Sequence, residues 1–332
     1  MLRKTCSTTV LFFAATITVL NAQDVFTMVT DSRNPATQVM APGFYKGAAW
    51  VDIDNDGDVD LFVAPTSLFR NDGSGVFTAI PDPFAYKPLQ PPGGSSWADV
   101  NNDGFIDCII SQNPSGVYLN NGNSTFKNVS AQIDGFDSFA SWGCAFGNWS
   151  NDAFPDFVFA HARGFHKGAA MSPAKLYLNK SATLTPQKIS GLVLTDSLKP
   201  YTVPYWSDFD QDGDMDLFVA SGPGGKPGPD FCYRNMKIES GKDELQPLTR
   251  ELFATQQQDG QCYNFIDFDN DRDLDLCLTN YGGALTQLYL NEKGVYKPLV
   301  TGFTGKRNNL SNNWGDFDND GDLDVIITSD TA

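Results

Sequence analysis

The chain has 332 residues, 41% of them hydrophobic, with 25 Phe, 30 Gly and 19 Pro. That is enough apolar mass for a large core and enough turn formers for many short strands, which excludes a disordered or collagen-like chain. Its 40 acidic against 23 basic residues leave a net charge of -17, a balance that repels phosphate backbones and anionic membrane surfaces, so nucleic acid is not an expected partner.

At the N-terminus, Arg3 and Lys4 precede an apolar run over 10–20 that ends in Asn21-Ala22-Gln23. The run is about half of the ~20 residues needed to span a bilayer and reads as a secretory signal peptide. The expected division is a signal peptide over 1–22 and a single domain over 23–332, secreted or at the cell surface. No later stretch is long and apolar enough for a transmembrane helix. Removing the leader takes Cys6 with it and leaves Cys108, Cys144, Cys232, Cys262 and Cys277, an odd number at no metal-ligand spacing. Cys262 and Cys277 flank one acidic loop, so a disulfide across a hairpin and a pair of buried free thiols are both open.

One phrase recurs six times along the rest of the chain. It reads Asp52-Ile-Asp54-Asn-Asp56-Gly57-Asp58-Val-Asp60 after Trp50, then Asp99-Val-Asn101-Asn-Asp103-Gly104-Phe-Ile-Asp107 after Trp97. The third copy, Asn148-Trp-Ser150-Asn-Asp152-Ala153-Phe-Pro-Asp156, is decayed. The fourth is Asp208-Phe-Asp210-Gln-Asp212-Gly213-Asp214-Met-Asp216, and the fifth is Asp267-Phe-Asp269-Asn-Asp271-Arg272-Asp273-Leu-Asp275. The sixth is Asp316-Phe-Asp318-Asn-Asp320-Gly321-Asp322-Leu-Asp324. The first positions are spaced by 47, 49, 60, 59 and 49 residues, a period that suits four-stranded propeller blades. A second signature follows in five copies, ending at Asn71, Asn120, Asn179, Asn235 and Asn291; it reads as a third strand closing in a turn. Short aromatic segments at Phe77, Phe126 and Tyr296 supply a fourth strand. The expected fold is therefore all-β, a β-propeller of four-stranded blades, with six repeats detectable and six or seven blades in all. Val25–Val29 matches the fourth-strand segments and is expected to close the ring as the outer strand of the last blade. The sequence stops before a third strand of the sixth unit, so the domain is read as truncated or as continuing into a further blade.

The acidic loop has a direct chemical reading. Oxygen side chains at positions 1, 3, 5 and 9 of a short turn, with Gly at 6 for a sharp bend, can surround a hard cation such as Ca²⁺. An EF-hand would need Glu at position 12; Val63, Ile110, Phe159, Val219, Leu278 and Ile327 stand there instead. Asp, Asn and Gly also make good turns, but 25 of the 40 acidic residues lie in these six loops, and clustered carboxylates repel unless a cation neutralises them. The candidate ligands are Asp52, Asp54, Asp56 and Asp60; Asp99, Asn101, Asp103 and Asp107; Asp208, Asp210, Asp212 and Asp216; Asp267, Asp269, Asp271 and Asp275; and Asp316, Asp318, Asp320 and Asp324. About five Ca²⁺ sites are expected, with the third loop weak or empty because only Asp152 and Asp156 remain charged there.

On these repeated phrases the chain resembles the calcium-binding FG-GAP and VCBS-type repeat family, which includes the propeller of integrin alpha chains. The resemblance covers residues 24–332. It implies that each loop joins the innermost strand of a blade to the second strand and holds Ca²⁺ on one face. The Phe-Gly and Gly-Ala-Pro flanks of the family are mostly missing, with Ala64-Pro65 the nearest remnant.

The opposite face would then carry the connections of variable length, where binding functions tend to sit. One of them, His161-Ala-Arg163-Gly-Phe165-His166-Lys167, is the candidate contact for an acidic sugar or a carboxylate; the alternative is a solvated loop without a role. Two functions follow. One is an exported Ca²⁺-stabilised interaction or adhesion module for a glycan, a matrix component or a protein. The other is a polysaccharide lyase or another carbohydrate-active enzyme, since some lyase propellers resemble this repeat. The sequence has no Gly-x-Ser-x-Gly or His-Glu-x-x-His motif and only two histidines, so binding is the preferred reading.

Overall fold

A computed structural model describes residues 32–38, 47–64, 67–73, 75–85, 93–136, 138–161, 173–182, 187–222, 228–282, 284–304, 308–317 and 320–329. Six antiparallel sheets follow one another along the chain, five of four strands and one of two. The first comprises β1 (Ala48–Val51), β2 (Asp60–Val63), β3 (Ser67–Asn71) and β4 (Phe77–Ile80). The second holds β5 (Ser95–Ala98), β6 (Asp107–Ile110), β7 (Gly116–Asn120) and β8 (Phe126–Asn128). The third holds β9 (Gly143–Gly147), β10 (Asp156–Ala160), β11 (Lys175–Leu178) and β12 (Gln187–Ile189). The fourth holds β13 (Tyr201–Ser207), β14 (Asp216–Ser221), β15 (Phe231–Asn235) and β16 (Leu245–Pro247). The fifth holds β17 (Gly260–Ile266), β18 (Asp275–Asn280), β19 (Gln287–Asn291) and β20 (Tyr296–Leu299), and the sixth β21 (Asn309–Gly315) and β22 (Asp324–Ser329).

In every complete sheet the strands pair in chain order, so each sheet is a meander built from local connections. The acidic loop lies between the first and second strand each time, as the phrase predicts. Fourth strands form at Phe77, Phe126 and Tyr296, and also at Gln187–Ile189 and Leu245–Pro247. The last two carry no aromatic signal; they form because the free edges of β11 and β15 offer unpaired backbone groups. The segment 25–29, expected as a closing strand, lies outside the described residues.

The core sits between sheets rather than within one. Phe62 and Ala64 of the first sheet share a cluster with Cys108, Ile110 and Tyr118 of the second. Val158 and Leu176 of the third share one with Tyr201, Leu217 and Tyr233 of the fourth. Second strands are buried on both faces from β6 through β18, which is why they read as continuous apolar runs. The aromatic residue two places before the loop packs onto the preceding sheet. Trp97 meets Phe62 edge-on at 5.2 Å, and Phe265 meets Phe218 at 4.6 Å, contacts worth about 0.5–1.5 kcal/mol beyond their burial. Trp206 lies so close to Gly147 that a Cβ there would strike its ring at 2.5 Å, so only glycine fits opposite it.

The second signature is a fastening between sheets. Asn120 donates from its side-chain amide to the Ile53 carbonyl in the preceding acidic loop at 2.7 Å. Asn179 does the same to Val100 at 2.9 Å and Asn235 to Trp149 at 2.7 Å. At the fifth sheet Asn291 turns to Leu274 of its own loop, and the Tyr296 hydroxyl donates to the Phe209 carbonyl instead, at 3.1 Å.

The five described cysteines are free. Cys262 stands opposite Thr279 and Cys277 opposite Asn264 across β17 and β18, so the two thiols are a register step out of line and no hairpin disulfide forms. No helix among the described residues is long and apolar enough to cross a membrane.

Candidate metal centres

Each acidic loop reverses the chain between two strands, and in the first, second, fourth and fifth loops its backbone is left-handed at two places. Position 6 has φ of 93° at Gly57, 92° at Gly104, 101° at Gly213 and 97° at Gly321. Arg272 adopts φ 80° at the same place in the fifth loop, a conformation that disfavours a side chain. Position 4 is left-handed as well, from 53° at Asn151 to 64° at Asn270.

Hydrogen bonds then fix the carboxylates. Asp52 Oδ2 accepts from the N–H of Gly57 at 3.0 Å, and Asp99, Asp208, Asp267 and Asp316 accept equivalently from position 6 of their own loops. In the first five loops the aspartate at position 9 is a buried strut whose two oxygens accept from two segments. Asp107 takes the N–H of Val100 at 3.0 Å and that of Asn120 at 2.7 Å. Asp60, Asp156, Asp216 and Asp275 repeat the pattern with the loop and the third-strand Asn of their own sheets. Each oxygen keeps a second lone pair for a ligand role.

Burial raises these carboxyls against the pull of their amide donors: Asp107 is pushed up to about 7, Asp216 to about 8, and Asp156 and Asp275 to about 6. Asp210 is pushed to about 6, first by burial, with Arg234 opposing and Asp212 and Asp208 reinforcing. A desolvated group of carboxylates is the environment that a bound divalent cation relieves.

Three loops bring their carboxylates together. Oxygens of Asp52, Asp54 and Asp60 lie within 4.8 Å of one another, as do those of Asp208, Asp210 and Asp216, and those of Asp267, Asp269 and Asp271. The donor set fits a hard cation on a further ground. Asp52 Oδ1, Asp54 Oδ1, Asp208 Oδ1, Asp210 Oδ1 and Asp212 Oδ2 are shielded from solvent and accept no hydrogen bond, a costly condition for a carboxylate that an ion would remove. All-oxygen sets of this kind suit Ca²⁺. In the second loop the Asn101 amide donates to Asp103 Oδ2 at 2.9 Å. The third loop closes on itself, with Asn148 accepting from the N–H of Asp152 and donating to its carbonyl. In the sixth, Asp318 lies outside the described residues, and Asp316, Asp320 and Asp324 hold the turn through backbone amides.

Several partners escaped the sequence reading. Glu239, on the helical turn Lys237–Ser240 after β15, brings a carboxylate within 4.8 Å of Asp210 and Asp212. Arg234 pairs with Asp210 Oδ2 at 2.8 Å and lies over the Phe209 ring; Arg70 occupies the same place in the first sheet, 3.9 Å from Asp54 and 2.8 Å from Asp72. Both arginines stand where the other third strands carry Leu119, Leu178 and Leu290, a visible departure within an otherwise apolar signature.

Of the candidate ligand segment, His161 is buried, 2% exposed at the end of β10, and so does not stand on a solvated loop. Arg163, His166 and Lys167 lie outside the described residues. A cavity of about 250 Å³ opens instead between the fourth and fifth sheets, beside the acidic loops, lined among others by Phe209, Arg234, Glu251, Asp273, Lys293 and Tyr296.

Comparison with known proteins bears on both the repeat and the fold. The family model described as FG-GAP-like repeat matches residues 52–110, 99–159 and 267–327. No curated protein matches the chain. Among solved structures, the chain is similar in fold to a lectin of Agrocybe aegerita, described for specific recognition of non-reducing terminal N-acetylglucosamine. The identity is 16% and the TM-score 0.52, over 86% of this chain and 71% of that one.

Proposed function

The chain belongs to the FG-GAP-like repeat family, and on that premise we propose that it is an exported, calcium-stabilised propeller that serves as an adhesion module for an external glycan. In this reading residues 1–22 are the leader, 23–332 form the propeller, and Ca²⁺ occupies the loops whose ligands are complete. The observation that carries the calcium part is the set of buried carboxylate oxygens without a hydrogen-bond partner in the first and fourth loops.

The glycan part is supported by the lectin with the similar fold and by the cavity between the fourth and fifth sheets. One sugar ring suits that volume. Glu251 and Asp273 would accept hydrogen bonds from sugar hydroxyls, Arg234 and Lys293 would donate to sugar oxygens, and Phe209 and Tyr296 would offer apolar surface to the ring carbons. A glycan array run with and without EDTA tests the reading: calcium-dependent retention on a defined subset of glycans is the expected result, and no retention on any glycan in either condition removes the glycan part.

The loops are expected to differ by ligand quality. Asp212→Ala removes a charged ligand from a loop that keeps Gly213 at its bend, and should delete one bound Ca²⁺. Asp152→Ala acts on the self-closed third loop and should leave the stoichiometry nearly unchanged, because affinity in such loops follows the number of charged ligands. Isothermal titration of both variants decides it; equal calcium loss in the two would mean that ligands from outside the third loop complete its site.

A further inference from the structure

The acidic loops are wired to one another in sequence. Asn55 Nδ2, at position 4 of the first loop, donates to the Gly104 carbonyl at position 6 of the second at 2.6 Å. Asn102 donates to Ala153 at 2.8 Å, Asn151 to Gly213 at 3.4 Å, Gln211 to Arg272 at 3.0 Å and Asn270 to Gly321 at 3.4 Å. All five junctions repeat one bond in one direction. The accepting residue is the one whose own N–H holds the first carboxylate of its loop: Gly104 on Asp99 at 2.8 Å, Gly213 on Asp208 at 3.1 Å, Arg272 on Asp267 at 2.9 Å and Gly321 on Asp316 at 3.0 Å.

Turn chemistry alone does not account for these residues. Position 4 is left-handed in the five copies where it is described, and glycine takes that conformation without steric cost, yet each of these copies places an amide there: Asn55, Asn102, Asn151, Gln211 and Asn270. Gln211 is the informative one. It adopts φ 57° although glutamine lacks the short side chain that makes asparagine tolerable in this region, so the residue retained is the one whose amide reaches the Arg272 carbonyl. The common property is the bridge to the next loop.

We infer that the position-4 amides couple the cation sites, so that filling one loop pre-organises the next. The inference rests on the reading of the loops as calcium sites. Positions 3 and 5, held together on a cation, would fix the backbone between them and aim the position-4 amide; that amide holds the carbonyl of the position-6 residue in the following loop, and the same residue's N–H holds the first carboxylate there. Coupling of this kind is reciprocal, so each loop also reports back to its predecessor. The third loop, poor in ligands, still donates from Asn151 and accepts at Ala153, and so joins the second loop to the fourth.

The test is a double-mutant cycle read by calcium titration in competition with a chromophoric chelator. With Gln211 in place, Asp212→Ala should remove its own ion and also weaken the ions that remain by about five-fold, the low end of typical coupling between sites. In a Gln211→Gly background, which keeps the left-handed backbone but lacks the amide, Asp212→Ala should remove its own ion and weaken the remaining ions less, because only the Asn151 bond to Gly213 still ties the fourth loop to a neighbour. Gln211→Asn, the amide the other loops use, should restore part of the coupling. Asn102→Gly gives the parallel reading at the second junction, and circular dichroism establishes that each variant is folded. Equal weakening by Asp212→Ala in the native and Gln211→Gly backgrounds overturns the coupling while leaving the calcium reading intact. A native chain that takes up no calcium overturns both.

Discussion

Thermal unfolding in excess EDTA is expected to occur far below unfolding in millimolar calcium. Asp52, Asp54 and Asp60 are drawn within 4.8 Å of one another, as are two further sets in the fourth and fifth loops, and like charges at that separation oppose the fold that assembles them. A cation that binds the assembled loop and not the unfolded chain stabilises by about 2.7 kcal/mol per independent site at a hundred times its dissociation constant. Three such loops amount to roughly 8 kcal/mol, which corresponds to a shift of about 10–15 °C for a domain of this size. Differential scanning calorimetry in the two conditions measures it. Superimposable melts would show that the carboxylate sets are not calcium sites, and the balance of charge would then have to come from Arg70 and Arg234, the two cations already placed against the first and fourth loops.

Asp156→Ala is expected to cost about 3–5 kcal/mol even with calcium chelated. Its side chain is buried and accepts from the N–H of Ser150 at 2.9 Å and that of Asn179 at 2.7 Å. Alanine leaves two donors without partners in a place that water does not reach, at about 1–3 kcal/mol for each such group and with a small cavity in addition. The effect is independent of any ion, because the third loop is the one whose other ligands have been lost. Asp152, exposed on the same turn, serves as the internal control, with a change of less than ~1 kcal/mol expected on replacement. Urea unfolding of the two variants in EDTA separates them, and a loss at Asp156 no larger than that at Asp152 would mean that the strut is dispensable.

The repeated phrase made the architecture legible, because a period of 47 to 60 residues carrying one loop and one Asn signature leaves few alternatives to stacked four-stranded units. The loops could be placed between first and second strands for the same reason. Partners across sheets were not legible. Asn120 reaches Ile53 across 67 residues and Asn55 reaches Gly104 across 49; both asparagines read as turn formers because that local preference is real and masks the longer-range bond. Position 9 looked like one more ligand, and only the geometry shows Asp107 and its equivalents holding two backbone segments at once. Glu239 entered through an inserted helical turn, and Arg234 through a third-strand substitution that only Arg70 repeats. The Cys262–Cys277 hairpin bridge failed on register, a two-residue matter that spacing in sequence does not resolve. His161 was taken with a solvated loop because it follows a strand, but directly after β10 it is still buried.

The division of labour among the aspartates bears on how such chains age. The strut at position 9 joins a loop to its third strand through backbone amides whether or not it also serves as a ligand, whereas the side chains at positions 3 and 5 matter chiefly to the cation the loop is proposed to hold. The demands of the scaffold and those of the proposed cation therefore fall unequally on the positions of the same nine-residue stretch. The third copy carries Asn148, Ser150 and Ala153, yet Asp156 still holds its two backbone segments, and its sheet stands. Lineages built from this unit are free to lose occupied positions one by one without losing a sheet, and the strut aspartate should be the last acidic residue of a fading copy to disappear.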